Sequence, residues 1–251
     1  MEKNREITEG GFAVTVLFLL IVFAAFSIQS LTGFGGPLIA MPLGISTVGL
    51  AAAKPVVTLC AWLSAAVIAV RERHNIVWRE LFKMSGVMLV FMIAGLWLFK
   101  NVQMPFLQVL YGIVVLCIGV KKLFWPSVGE MPRWAVVLSI CLAGIMQGLF
   151  VSGGSFLVIY AVGAIPEKQK FRATLSGVWA TVNVLLLASY AVDGSFAREG
   201  VLPTAALSLI PLSLAVVCGS LLAGKLNQKT FLKAAYILLI VSGAVLLVTN
   251  L

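Results

Sequence analysis

The sequence predicts an all-α polytopic membrane protein with about ten hydrophobic segments, arranged as two inverted repeats with Gly-rich broken or re-entrant helices. Three observations lead to this fold class. Charged residues make up 11% of the 251 residues, whereas a soluble domain carries about 25%. The hydrophobic fraction is 61%, and the apolar runs approach the roughly 20 residues that a helix needs to cross a bilayer. Glycine-rich interruptions recur at matching places in both halves. This composition excludes soluble enzymes, secreted scaffolds and disordered tails.

Charges, glycine or proline clusters and polar turns divide the chain into ten apolar segments. They span 12–31, 36–50, 54–70, 81–99, 105–124, 133–151, 154–165, 170–192, 203–222 and 231–251. Each is expected to be a helix, because unpaired backbone groups are costly in lipid. The second and seventh segments are short, and each follows a glycine pair. The first segment has no clean small-residue cleavage site and is predicted to be retained, not removed as a signal peptide.

The two halves of the chain match when one is shifted by 118 residues against the other, with six further residues inserted late in the second half. The aligned pairs include Gln29 with Gln147, Gly35 with Gly153, Lys54 with Arg172 and Gly95 with Gly219. Self-similarity at a fixed offset indicates an internal repeat. We therefore expect a first transmembrane repeat at 1–126 and a second, inverted one at 127–251.

The distribution of basic residues predicts the topology. If every segment crosses the membrane, 13 Lys and Arg residues lie on one side and 5 on the other, whereas eight crossings would divide them 10 against 8. Cytoplasmic loops carry the excess of Lys and Arg, so five elements per half are favoured, with both termini outside the cytoplasm. An odd number of elements makes the halves inverted. Parity leaves open whether segments 1–2 and 6–7 cross fully or are re-entrant.

The two Gly-rich breaks, residues 29–37 and 147–155, are the predicted binding site. Paired broken segments in inverted repeats indicate a transporter site near the midplane. Two helix N-termini meeting there would hold a small anion, with hydroxyl and amide groups as further donors. The candidate residues are Gln29, Thr32, Gly33, Gly35, Gly36, Gln147, Ser152, Gly153, Gly154 and Ser155. In the alternative interpretation, the glycines only permit close helix packing.

Four residues after the breaks complete the predicted substrate site: Lys54, Arg172, Thr174 and Asn183. A cation at a helix N-terminus opposes the helix dipole, and a bound anion would explain Lys54 and Arg172. The alternative is that they reach lipid headgroups or act as topology signals. A buried amide such as that of Asn183 needs a partner in an apolar segment.

The nine acidic residues all fall in loops or at segment ends. Cation-coupled carriers usually keep acidic groups within the membrane, so a cation substrate is disfavoured. A coupling proton would travel on a weakly acidic substrate or use Asp193. The four cysteines lie singly in apolar runs and His74 lies in a charged loop, so neither a metal nor another cofactor is expected. The net charge of +9 is attributed to loops and not to a nucleic-acid partner.

At the breaks the sequence resembles the TauE/SafE sulfite exporter family, also grouped with toluenesulfonate uptake permeases. The similar motifs are at 32–38, 152–155, 171–174 and 219–226. The resemblance implies a transporter in the bacterial inner membrane for small sulfur-containing anions such as sulfite, sulfoacetate or other organosulfonates, mostly exporting. Val151 stands where the first half has Gly33, and Ser155 where it has Pro37, which departs from the symmetry of the two halves.

The leading hypothesis is a secondary transporter that works by alternating access, exports its substrate and has no enzymatic activity. A passive anion channel or facilitator is the alternative, because no carboxylate relay is present. The third hypothesis is an intramembrane serine protease using Ser152 or Ser155, which lacks a histidine near either serine in sequence. Small-residue helix faces are consistent with internal packing or with a homodimer.

Overall fold

A computed structural model describes residues 2–101 and 133–227 continuously, with isolated positions at 109–124 and 229–248. Within these residues the chain is helical and has no strand. The helices are α1 (Glu2–Thr32), α2 (Gly36–Val48), α3 (Leu50–Arg71), α4 (Trp78–Asn101), α5 (Arg133–Phe150), α6 (Gly154–Ala164), α7 (Lys168–Val192) and α8 (Val201–Lys225). Short 3-10 turns follow α3 and α7. The predicted segments 105–124 and 231–251 lie largely outside the described residues.

Five helices of the described part are long and apolar enough to cross a membrane. They are Val14–Thr32 within α1, Leu50–Arg71, Trp78–Phe99 within α4, Lys168–Val192 and Val201–Lys225. By contrast, α2 has 13 residues and α6 has 11. At a rise of about 1.5 Å per residue, these two helices reach only part of the way across a hydrocarbon core of about 30 Å.

The outer surface is apolar, as a lipid-facing surface requires. Large hydrophobic side chains are more than half exposed on several helices, among them Leu20, Trp97, Ile210 and Leu221. A continuous apolar surface of this kind is unusual in a soluble monomer. Together with the helix lengths, it indicates that the chain is an integral membrane protein.

The first and the last of the described helices pack against each other. α1 packs mainly on α8, α4 on α5, and α3 on α7, with further contacts of α8 on α3 and of α4 on α7. Small residues permit the closest approaches: Gly219 of α8 lies against the Ser27 carbonyl of α1, and Gly95 of α4 against the Ile145 carbonyl of α5. At the α3–α7 contact, Trp62 Nε1 donates to the Ala180 carbonyl at 3.1 Å. The pair α3–α7 therefore forms the centre of the bundle.

Each short helix follows one of the two Gly-rich breaks. α2 begins after Gly35, whose φ of 93° lies in the left-handed region, and Pro37 occupies its first turn as predicted. α6 begins after Gly153. Both short helices thus start from a turn in the interior of the protein, beside α3 and α7.

Candidate functional site

A central cavity of about 280 Å³ lies where the two breaks meet the middle of α3 and α7. Among the described residues that line it, none has a charged side chain. The lining residues are Gln29, Gly35, Pro37, Leu38, Ala61, Gln147, Val151, Ser152, Gly154, Trp179 and Asn183. The structure therefore brings together the predicted residues Gln29, Gly35, Gln147, Ser152, Gly154 and Asn183.

Two repeat-related glutamines connect each break to a central helix. Gln29 Nε2 donates to Ser64 Oγ at 2.7 Å and to the Ala61 carbonyl at 3.2 Å. Gln147 Nε2 donates to Asn183 Oδ1 at 2.8 Å, and its Oε1 accepts from the Gly153 N–H at 3.0 Å. The Gln29 side chain also contacts its own break: its Oε1 occupies the position that a Cβ at Gly36 would take. Both amides thus hold a break against the centre of the bundle.

The two breaks share a left-handed backbone conformation at one aligned position, although the residues there differ. Gly33 has φ of 86°, and Val151, at the equivalent position, has φ of 57°. Their N–H groups donate to the carbonyls of Gln29 at 2.7 Å and Gln147 at 3.0 Å. A β-branched residue rarely adopts this conformation, so Val151 is strained where Gly33 is not. The next aligned glycines differ, however: Gly35 has φ of 93°, in the left-handed region, whereas Gly153 has φ of −66°.

Hydrogen-bond donors remain at the cavity. The first N–H groups of a helix have no acceptor within the helix. Leu38 and Gly154, in the first turns of α2 and α6, both line the cavity, whereas Pro37 has no N–H to donate. Among the described residues, the Asn183 Nδ2 group has no acceptor, and Asn183 lines the cavity. The fully buried Ser155 hydroxyl in the first turn of α6 also has no partner in the described part of the chain, but Ser155 does not line the cavity. The helix dipoles add positive potential at the same place.

Two other predicted residues have structural partners. The Thr32 hydroxyl donates within its own break, with the carbonyls of Ile28 and Phe34 both at 2.8 Å. The Thr174 hydroxyl accepts from the Val77 N–H at 2.9 Å, just before α4 begins. Neither side chain lines the central cavity.

Arg172 lies outside the central cavity, in a cluster near the ends of four helices. Its Nε donates to the Ser30 carbonyl at 2.6 Å, and its Nη2 donates to Ser220 Oγ at 2.8 Å. Its Nη1 forms an ion pair with Glu72, at the C-terminal end of α3. We call these four residues the Arg172 cluster. The cluster borders a separate cavity of about 520 Å³. It also holds the first break, through the hydrogen bond from Arg172 to the Ser30 carbonyl.

Lys54 lies apart from the cavity as well. The side chain is 9% exposed, and its ammonium lies 3.2 Å from the centroid of the Phe99 ring, a cation–π contact. Helices α3 and α7 begin at Leu50 and Lys168, one turn before Lys54 and Arg172. The helix dipole acts within the first turn. Its repulsion of the Lys54 and Arg172 charges is therefore weaker than the sequence suggested.

Trp179 and Ala61 were not predicted as site residues, yet both line the cavity. Trp179 Nε1 donates to the Gly33 carbonyl at 3.0 Å. One sequence signal was available: Trp179 lies four residues before Asn183, so both occur on the same face of a helix. Within the residues described, no group of three His, Cys, Asp or Glu side chains is placed to bind a metal.

Comparison with known proteins identifies a family. The family model described as "Sulfite exporter TauE/SafE" matches residues 17–246, nearly the whole chain. A search of curated proteins and a search of solved structures found no match. The predicted resemblance is therefore confirmed at the level of the family.

Proposed function

Because this chain belongs to the TauE/SafE sulfite exporter family, we propose that it is a secondary transporter that carries a small sulfur-containing anion through the central cavity. The family is one of transporters, and the apolar surface agrees with a place in the lipid bilayer. Sulfite, sulfoacetate and other organosulfonates are the candidate substrates, with export from a bacterial cell across its inner membrane as the proposed direction. The observation that carries the proposal is an uncharged cavity at which two helix N-termini and an amide donor converge.

The chemistry of the cavity favours an anion over a cation. Helix N-termini and amide N–H groups stabilise negative charge, and the described lining residues include no carboxylate to balance a cation. Neutral donors replace part of the hydration of an oxyanion without forming a salt bridge. Such binding suits a carrier, because the substrate must also leave.

Packing supports an inverted repeat with halves at 1–126 and 127–251. The pairing of α1 with α8 corresponds to that of α5 with α4 when the halves are exchanged. Gly219 faces Ser27 and Gly95 faces Ile145, and Ser27 and Ile145 are 118 residues apart. Trp62 bonds to Ala180, also at a separation of 118, as expected for residues beside a pseudo-twofold axis.

The repeat-related cations support alternating access. Arg172 is ion-paired with Glu72, the residue that caps the C-terminus of α3. Asp193 caps α7 in the same way, but Lys54 packs on Phe99 and forms no ion pair with Asp193. The Arg172 cluster would close the predicted cytoplasmic side in this conformation, and Lys54 with Asp193 would close the opposite side in the other one.

Sulfite uptake into proteoliposomes tests the site. Replacing Asn183 with Leu should reduce the flux by at least about tenfold, since loss of one hydrogen bond to a charged ligand corresponds to about 1.5–3 kcal/mol. Thr181→Val is the matched control, because Thr181 lies on the same helix, is exposed and bonds only to its own turn. Equal flux in Asn183→Leu and wild type would refute the assignment.

The same vesicles distinguish a carrier from a channel. An imposed proton gradient should drive sulfite uphill if the protein is a secondary transporter. Flux that only equalises the two sulfite concentrations under every gradient tested would favour the passive channel.

A further inference from the structure

The central cavity has one large apolar side chain in its wall, that of Trp179. The indole is 6% exposed and extends from the first break to the second. Its Nε1 bonds to the Gly33 carbonyl at 3.0 Å, and its Cζ2 lies 3.7 Å from the position of a Cβ at Gly154. The ring is therefore fixed at the first break and lies beside the second, and it cannot move aside without losing this hydrogen bond.

The equivalent residue of the first repeat is much smaller. Ala61 lies 118 residues before Trp179 and so occupies the equivalent position in the first repeat, and both residues line the cavity. The polar groups from the two repeats also correspond, since Gln29 and Gln147 both line the cavity. The two repeats thus contribute similar polar groups to the cavity, but their side chains at the positions of Ala61 and Trp179 differ by almost a whole indole ring.

The cavity volume agrees with a small ligand. The space open to the centre of a water-sized sphere is about 20 Å³, far below the range of roughly 300–1,000 Å³ that is usual for sites of organic ligands. Trp179 occupies the space into which an organic substituent would extend. A compact oxyanion needs only the donors of Asn183 and of the two helix N-termini.

We propose that Trp179 determines substrate size, so that the site accepts a compact sulfur oxyanion of the size of sulfite and excludes arylsulfonates. This inference rests on the proposed function of the same cavity, and it narrows the substrate class. Trp179 acts as a specificity-determining wall and not as a source of charge.

The test compares the initial rates of sulfite and benzenesulfonate flux in proteoliposomes. Wild type should transport sulfite and exclude benzenesulfonate. Trp179→Ala, which copies Ala61 of the other half, should raise the benzenesulfonate-to-sulfite ratio by at least about tenfold, the lower end of what pocket shape achieves. Trp179→Phe keeps a ring but removes the bond to Gly33, so it should keep most of the exclusion. Trp134→Ala is the control, because Trp134 is 70% exposed on the outer surface.

Three results would overturn the proposal in different ways. Comparable rates for both anions in wild type would remove the size limit but leave the transport function intact. An unchanged ratio in a folded Trp179→Ala protein would show that another part of the pathway selects the substrate. Absence of any anion flux in wild type would refute the proposed function itself.

Discussion

Arg172 shows how one buried side chain positions a distant part of the chain. Its guanidinium donates hydrogen bonds to a backbone carbonyl of the first break and to a hydroxyl of α8, and it forms an ion pair with a carboxylate after α3. Because the planar guanidinium offers five donors in a fixed arrangement, it can hold all three at once. A lysine could not reproduce this geometry with one ammonium.

Removing the charge of Glu72 should therefore destabilise the fold. Breaking a fully buried ion pair costs roughly 3–5 kcal/mol, and Glu72→Gln should cost less than this, because the Glu72 side chain is 27% exposed. The measurement is thermal unfolding in detergent, where we expect Tm to fall by several degrees.

The matched control is Glu167→Gln. Glu167 pairs with Lys170 at 2.8 Å, but both side chains are about half exposed, and such pairs contribute about 0–1 kcal/mol. Equal Tm values for the two variants would show that the Glu72 ion pair does not stabilise the break.

At the scale of the helices, close packing depends on glycines that face a neighbouring backbone. A Cβ at Gly219 would overlap the Ser27 carbonyl and lie 2.7 Å from the Ser30 Cβ. A Cβ at Gly224, one and a half turns further along α8, would meet nothing within 4 Å. The same helix thus contains one glycine that packing requires and one that it does not.

Gly219→Ala should separate α8 from α1 and lower Tm, because overpacking typically costs about 1–3 kcal/mol. Gly224→Ala should leave Tm unchanged or raise it slightly, since alanine favours the helix. Gly95→Ala and Gly86→Ala repeat the comparison on α4, where only Gly95 faces a backbone. A similar Tm for all four variants would contradict the proposed packing role.

Much of the helical organisation was predictable, because apolar runs and glycine breaks are local signals. The predicted segments end within a few residues of the described helices, and both short helices follow their glycine pairs. The hydrogen bond of Trp179 was not predictable, since its partner Gly33 is 146 residues away. Val151 was also misleading: its residue type argues against the left-handed turn that it adopts, at a strain of about 1–3 kcal/mol. Arg172 was predicted at the substrate, but its contacts depend on tertiary packing that no local pattern encodes.

For the whole molecule, the positive-inside rule gives a testable orientation. His74 and Arg198 are both exposed, after α3 and α7 respectively. In a background with the four cysteines replaced by serine, an impermeant maleimide should label Arg198→Cys in intact cells. His74→Cys should react only after the membrane is opened. Labelling of both variants in intact cells would place both loops outside and refute the predicted topology.

The donors that hold the first break come from late in the chain. The carbonyls of Ser30 and Gly33 accept from Arg172 and Trp179, 142 and 146 residues further on. Ribosomes deliver the N-terminal part first, so α1 and α2 enter the bilayer well before α7 has been synthesised. The first half of the protein is consequently inserted in an unfinished form, and its break acquires these partners only when the second half arrives. The proposed site is among the last parts of the molecule to be assembled.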